Sequence, residues 1–79
     1  MTIFIGNLNW SLAEGDIQSL FEPFGEVKSV ALIKDKMTKK SKGFAFVEMD
    51  DADAQNAISE LNGKDIKGRK LVVNEARPK

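Results

Sequence analysis

A chain of 79 residues in which twelve basic side chains balance twelve acidic ones has room for one domain and no second. It contains neither cysteine nor histidine, which excludes disulfides, thiolate chemistry, the usual zinc sites and histidine acid–base catalysis. Zero net charge argues against a generic polyanion binder, yet the charges are unevenly placed. Lys34, Lys36, Lys39, Lys40 and Lys42 crowd together against Asp35 alone, and Glu48, Asp50, Asp51 and Asp53 follow as an acidic block. Met1 to Phe4 has no basic region and no stretch is apolar enough to span a bilayer, so neither a signal peptide nor a membrane segment is expected. The absence of cysteine fits a reducing, cytoplasmic compartment.

Residues 2–6 alternate in character and predict a first strand with Ile3 and Ile5 towards a core. Phe4 then falls on the opposite face. Ser11-Leu12-Ala13-Glu14 has the pattern of a capping box, and Ala13, Ile17, Leu20, Phe21 and Phe24 follow at helical spacing. They predict a helix from Leu12 to Glu22, stopped by Pro23 and Gly25. Val27 to Asp35 predicts a second strand with Val27, Val30 and Leu32 inward, which requires a bulge before Val30. A lysine-rich loop over 35–41 leads to a third strand, Lys42 to Met49. Asp50 and Asp51 are candidate N-caps for a second helix with the apolar stripe Ala54, Ala57, Ile58 and Leu61, ended by Asn62-Gly63. Lys64 to Gly68 has turn character, with Ile66 tucked onto the core. Arg69 to Glu75 predicts the last strand, with Leu71 and Val73 inward and Lys70, Val72 and Asn74 outward. Trp10 is expected to pack at the loop before the first helix.

The third strand divides by parity. Gly43, Ala45, Val47 and Met49 make a small aliphatic face, whereas Lys42, Phe44, Phe46 and Glu48 make the other. A half-buried strand normally turns polar groups to its second face, so two rings there call for a reason. The order strand, helix, strand, strand, helix, strand supplies one. It predicts an α+β, βαββαβ ferredoxin-like sandwich: a four-stranded antiparallel sheet with both helices on one face. Right-handed crossovers place the first and third strands side by side, so Phe4 meets Phe44 and Phe46 on the uncovered face. Three rings beside lysines form a platform on which unpaired bases stack while cations hold phosphates.

The octapeptide Lys42-Gly43-Phe44-Ala45-Phe46-Val47-Glu48-Met49 and the hexapeptide Ile3-Phe4-Ile5-Gly6-Asn7-Leu8 resemble the two signature segments of the RNA recognition motif family. Met49 departs from the family's aromatic at the last octapeptide position, where parity makes it a core filler. The brevity of the chain and its ending look most like the small single-domain members found in bacteria. The resemblance implies a domain over residues 1–76, a short basic tail over 77–79 and single-stranded RNA as the partner of a monomer, with no cofactor and no catalysis. Phe4 and Phe44 would each stack a base, and Phe46 would wedge against sugars or between nucleotides. Lys42 would pair with a phosphate, and Asn74 would offer hydrogen bonds to base edges. Arg77, Lys79, Lys36, Lys39 and Lys40 would extend the phosphate path. Lys70 stands between phosphate contact and plain solvation, and Glu48 either repels phosphate or accepts from a base amino group, which would favour cytosine or adenine edges. Single-stranded DNA is a second polymer for the same face. Protein binding on the same fold is an alternative, whereas an acyl-phosphate hydrolase would need a phosphate-cradling arginine that Asn7-Leu8-Asn9-Trp10 does not supply.

Overall fold

A computed structural model describes residues 1–9, 11–34, 37 and 41–76, with backbone alone at 34, 41 and 42. The elements run β1 (Thr2–Gly6), α1 (Glu14–Phe21), a 3-10 turn (Glu22–Phe24), β2 (Val27–Lys34), β3 (Ser41–Met49) and α2 (Asp51–Leu61). They continue with β4 (Asp65–Ile66), β5 (Arg69–Lys70) and β6 (Val72–Ala76). Four strands form one sheet in the order β2-β3-β1-β6, so β1 and β3 are the central pair, and every neighbouring pair is antiparallel.

The core lies between this sheet and the two helices. Ile3, Ile5, Ala45, Val47, Met49 and Val73 from the strands meet Ile17 and Phe21 of α1 and Ala54, Ala57 and Leu61 of α2, all fully or almost fully buried. Each Val, Leu, Ile, Met or Phe side chain among them contributes about 1.5–3 kcal/mol by leaving water. Met49 is completely buried, as its parity requires. Val27, Val30 and Leu32 pack against the same core, and the predicted bulge is present as a register shift between Val27 and Ser29. A second shift falls between Leu32 and Lys34.

Two local expectations are corrected. Ser11 does not cap α1. The Asn9 carboxamide oxygen accepts from both the Ser11 amide (2.9 Å) and its hydroxyl (2.8 Å), and so ties that residue back into the preceding loop. The helix instead starts after Ala13, whose amide donates to the Asp16 carboxylate at 2.9 Å. Leu12 takes the buried place expected of Ala13, which is exposed. The last strand is also not continuous from Arg69. Leu71 leaves the ladder to donate to the Lys64 carbonyl and accept from Gly63, so residues 65–70 close as a separate two-stranded hairpin. Its turn residues, Lys67 and Gly68, both have positive φ (51° and 84°), the condition for a tight hairpin whose twist matches its strands. The α2 start agrees with expectation in place but not in contact: Asp50 is the N-cap residue without a side-chain cap bond. Its carboxylate is taken by Lys28 of β2 at 2.7 Å.

Candidate nucleic-acid interface

The antiparallel register sets Phe4 directly opposite Phe46, with Asn74 opposite Phe4 on its other side. Because Ile3, Ile5, Ala45, Val47 and Val73 point into the core, Phe4, Phe44, Phe46 and Asn74 point away from both helices. The Phe4 ring centroid is 5.8 Å from Phe46 and 6.3 Å from Phe44, within the range of favourable aromatic pairs. The planes of Phe4 and Phe44 differ by 34°, whereas Phe46 is canted 57° from Phe4. Phe4 and Phe44 therefore offer the more similarly inclined faces, and Phe46, opposite Phe4, stands more steeply to it. Each is partly buried by the others, and Asn74 is exposed.

The backbone accommodates this platform at two glycines. A Cβ on Gly6 would lie 3.1 and 3.2 Å from Cε1 and Cζ of Phe4, so the ring rests over the bare backbone of its own strand. Gly43 has φ +87°, a left-handed conformation that side chains rarely adopt, and its carbonyl accepts from the Leu8 amide at 2.8 Å. That bond secures the start of β3 to the end of β1.

The sheet is electrically polar along its strands. One end holds the last residues of β1 and β2 and the first of β3 and β6, as the pairs Gly6–Val72 and Lys34–Ser41 show. At this end stand Lys34 and Lys42 in sequence, with Lys70 and Arg69 just before β6. Lys64, Lys67, Arg69 and Lys70 are all exposed on or beside the small hairpin. Asn7, at φ 58°, donates to the Lys70 carbonyl at 2.8 Å, and Asn9 donates to that of Lys67 at 3.1 Å. The β1–α1 loop thus fixes these cations to the edge of the platform, and the Arg69 guanidinium approaches the Asn7 oxygen at 3.5 Å. The opposite end carries Glu26, Glu48, Asp50, Asp51, Asp53 and Glu75. Beside the N-terminal amine, Lys28 is the described cation there. Its hydrogen bond to Asp50 raises its pKa above the usual lysine value and holds Asp50 below the carboxylate range.

Of the residues singled out from the sequence, the structure brings together Phe4, Phe44, Phe46 and Asn74 and sets Lys70 at their edge. Lys42 is placed by its strand position alone. Trp10, Lys36, Lys39, Lys40, Arg77 and Lys79 lie outside the described residues. Sequence reasoning missed Val72, which is 43% exposed and faces the Phe4 ring across Gly6. Parity had put it outward, and only the register shows that it extends the apolar floor. Arg69 was missed because its position depends on the Asn7 contact. Among the described residues no three His, Cys, Asp or Glu side chains are grouped to hold a metal. No helix there is long and apolar enough to cross a membrane. The hollow lined by Leu12, Asp16, Ser19, Leu20, Ile66 and Lys67, about 260 Å³, lies on the helical side away from the rings.

A four-stranded antiparallel sheet with helices on one face and clustered rings on the other defines a class of module that gathers its rings on an open sheet rather than in a cleft. Residues 3–72 match the RNA recognition motif family, and the chain belongs to that family. RbpD of the cyanobacterium Nostoc sp. is 48% identical, the match covering 100% of this chain and 85% of that protein. The crystal structure of RNA Binding Protein PG1 superposes with a TM-score of 0.93 at 46% identity, covering 100% of this chain and 99% of that one. The structure of the Rna15 RRM with bound RNA (GU) superposes at 0.88 with 27% identity, covering 98% of this chain and 83% of that one.

Proposed function

We propose that the open sheet face binds single-stranded RNA by stacking unpaired bases on Phe4 and Phe44, with Phe46 wedged between nucleotides. One observation carries this reading: the Phe44 and Phe46 rings both lie within 6.3 Å of Phe4, on a sheet whose other face is occupied by both helices. Single-stranded RNA binding itself accords with the family and with a similar domain whose structure contains RNA. Asn74, beside Phe4, offers both a donor and an acceptor to a base edge. Lys42, Lys70, Lys39, Lys40 and Arg77 hold the phosphates. The domain spans residues 1–76, works as a monomer in the cytoplasm and carries out no catalysis. Single-stranded DNA competes for the same rings, because stacking does not distinguish the sugars.

The test is a titration of a single-stranded octauridylate against wild type and Phe44→Ala. Loss of a stacking ring is expected to cost about 1–3 kcal/mol. Equal binding by the two proteins would remove the stacking reading.

A further inference from the structure

Glu48 is the one acidic side chain that strand parity puts on the ring-bearing face of β3. It is exposed and sits opposite Thr2 on one side and Ser29 on the other, both uncharged. The neighbouring cation, Lys28, is bonded to Asp50 at 2.7 Å, and the N-terminal amine to Asp51 at 3.3 Å. Among the described residues Glu48 makes no hydrogen bond or salt bridge, and Lys28, bonded to Asp50, attracts it only through space. It stands two residues beyond Phe46 on the same strand, about 7 Å along it, and diagonal to Phe4. A flat group lying on Phe4 comes within reach of its carboxylate.

The polarity of the sheet decides which part of that group arrives. Phosphates are drawn to the end bearing Lys42, Lys70 and Arg69, and repelled from the end bearing Glu48. A nucleotide stacked on Phe4 therefore turns its sugar towards the cations and its pairing edge towards Glu48. An ionised carboxylate only accepts hydrogen bonds. The four bases differ in what they present to such an acceptor. Guanine offers two adjacent donors, N1–H and the N2 amino group, which match the two carboxylate oxygens. Adenine and cytosine offer one amino group beside an accepting ring nitrogen, and uracil one N–H between two carbonyls.

We propose that Glu48 is a specificity-determining residue that selects guanine for the position over Phe4 by accepting from N1–H and N2–H together. The inference rests on the stacking reading above. Lys28 and Asp50, paired to each other at the same end, leave Glu48 as the acceptor facing the rings.

The experiment compares an octauridylate with the same oligomer carrying one central guanosine, inosine, adenosine or cytidine, titrated against wild type, Glu48→Gln and Phe44→Ala. Wild type is expected to bind the guanosine oligomer about tenfold more tightly than the octauridylate. Inosine, which lacks the N2 amino group, should fall between them. Glu48→Gln should lose the guanosine preference, its affinities for the guanosine oligomer and for octauridylate becoming equal. The proposal is overturned if wild type shows no guanosine preference or if Glu48→Gln retains it. It is equally overturned if Glu48→Gln tightens every oligomer alike, which would make Glu48 a phosphate repeller. Phe44→Ala on the guanine-free octauridylate reports on stacking alone, so the two readings fail separately.

Discussion

At the scale of single residues, the proposed binding face depends on a side chain that is absent. The Phe4 ring covers Gly6 closely enough that an added methyl would sit 3.1 Å from it, tighter than ordinary van der Waals contact. Gly6→Ala must therefore lift or turn the ring, and Val72 on the far side, 3.7 Å from the same point, limits where it can go. Oligonucleotide affinity is expected to fall by less than the roughly 1–3 kcal/mol that deleting the ring would cost. Stability should change by about 0.5 kcal/mol or less, because the ring lies outside the core. Titration and urea unfolding separate the two effects. Unaltered affinity, with unaltered NMR shifts of the Val72 methyls beside the ring, would show that Gly6 does not position Phe4. Gly43 has a different reason for being glycine, its φ of +87°, so two glycines of the signature segments answer to two separate constraints.

At the scale of elements, α1 owes its start to Asp16. The carboxylate accepts from the Ala13 amide and also lies in the first turn, where the helix dipole favours negative charge. Asp16→Ala is expected to destabilise the fold by about 1 kcal/mol in urea unfolding. Ser11→Ala, which removes only the hydroxyl of an exposed serine bonded to Asn9, should stay within about 0.5 kcal/mol. The reverse ranking would restore the capping box expected from Ser11 and Glu14. Between β2 and α2, the Lys28–Asp50 pair has a definite pH signature. Asp50 is held below its ordinary value of 3.8, so the pair stabilises the fold above that value and the contribution fades as pH falls through the lowered one. Lys28 is raised above 10.5, so its contribution persists through neutral pH and is lost only as pH rises through its own raised value. The melting-temperature difference between wild type and Asp50→Asn should therefore narrow in acid, and also in high salt because both groups are exposed. These elements show what the sequence makes legible. Period-two alternation in β1 and β3 separates Ile3, Ile5, Ala45, Val47 and Met49 from Phe4, Phe44 and Phe46, because each position is decided by the strand's own pleat. The broken period before Val30 likewise revealed its bulge. The start of α1 and the β4–β5 hairpin were not legible, since both depend on individual side-chain and loop-backbone bonds that leave no trace in hydrophobic periodicity. Asn9 withdraws Ser11 from capping, and Leu71 turns aside to Lys64 and Gly63.

At the scale of the whole molecule, zero net charge conceals two opposed ends, and binding should respond to the ends rather than to the sum. A strand of RNA releases condensed counterions for each phosphate that a cation neutralises, and affinity then falls with salt in proportion to the number of such contacts. Lys70 stands at the cationic end, its backbone held by Asn7, and under the proposed stacking it would meet a phosphate as the strand passes Phe4. Lys28 bears the same charge at the opposite end, but Asp50 already neutralises it. Removing either lysine changes net charge by one unit, and only their positions differ. Lys70→Ala is expected to reduce the slope of log affinity against log salt by about 0.7, the value for one lost contact to a single strand. Lys28→Ala should leave that slope unchanged. Fluorescence anisotropy with an octauridylate over a series of salt concentrations measures both. Equal changes in slope would mean that the protein attracts RNA through its net charge, and the polar sheet would then have no part in orienting the strand. A change confined to Lys70 ties the phosphate path to the end that the register of β1, β3 and β6 creates. In that case a balanced composition is compatible with strong salt dependence, because the acidic residues lie where the backbone of the RNA does not run.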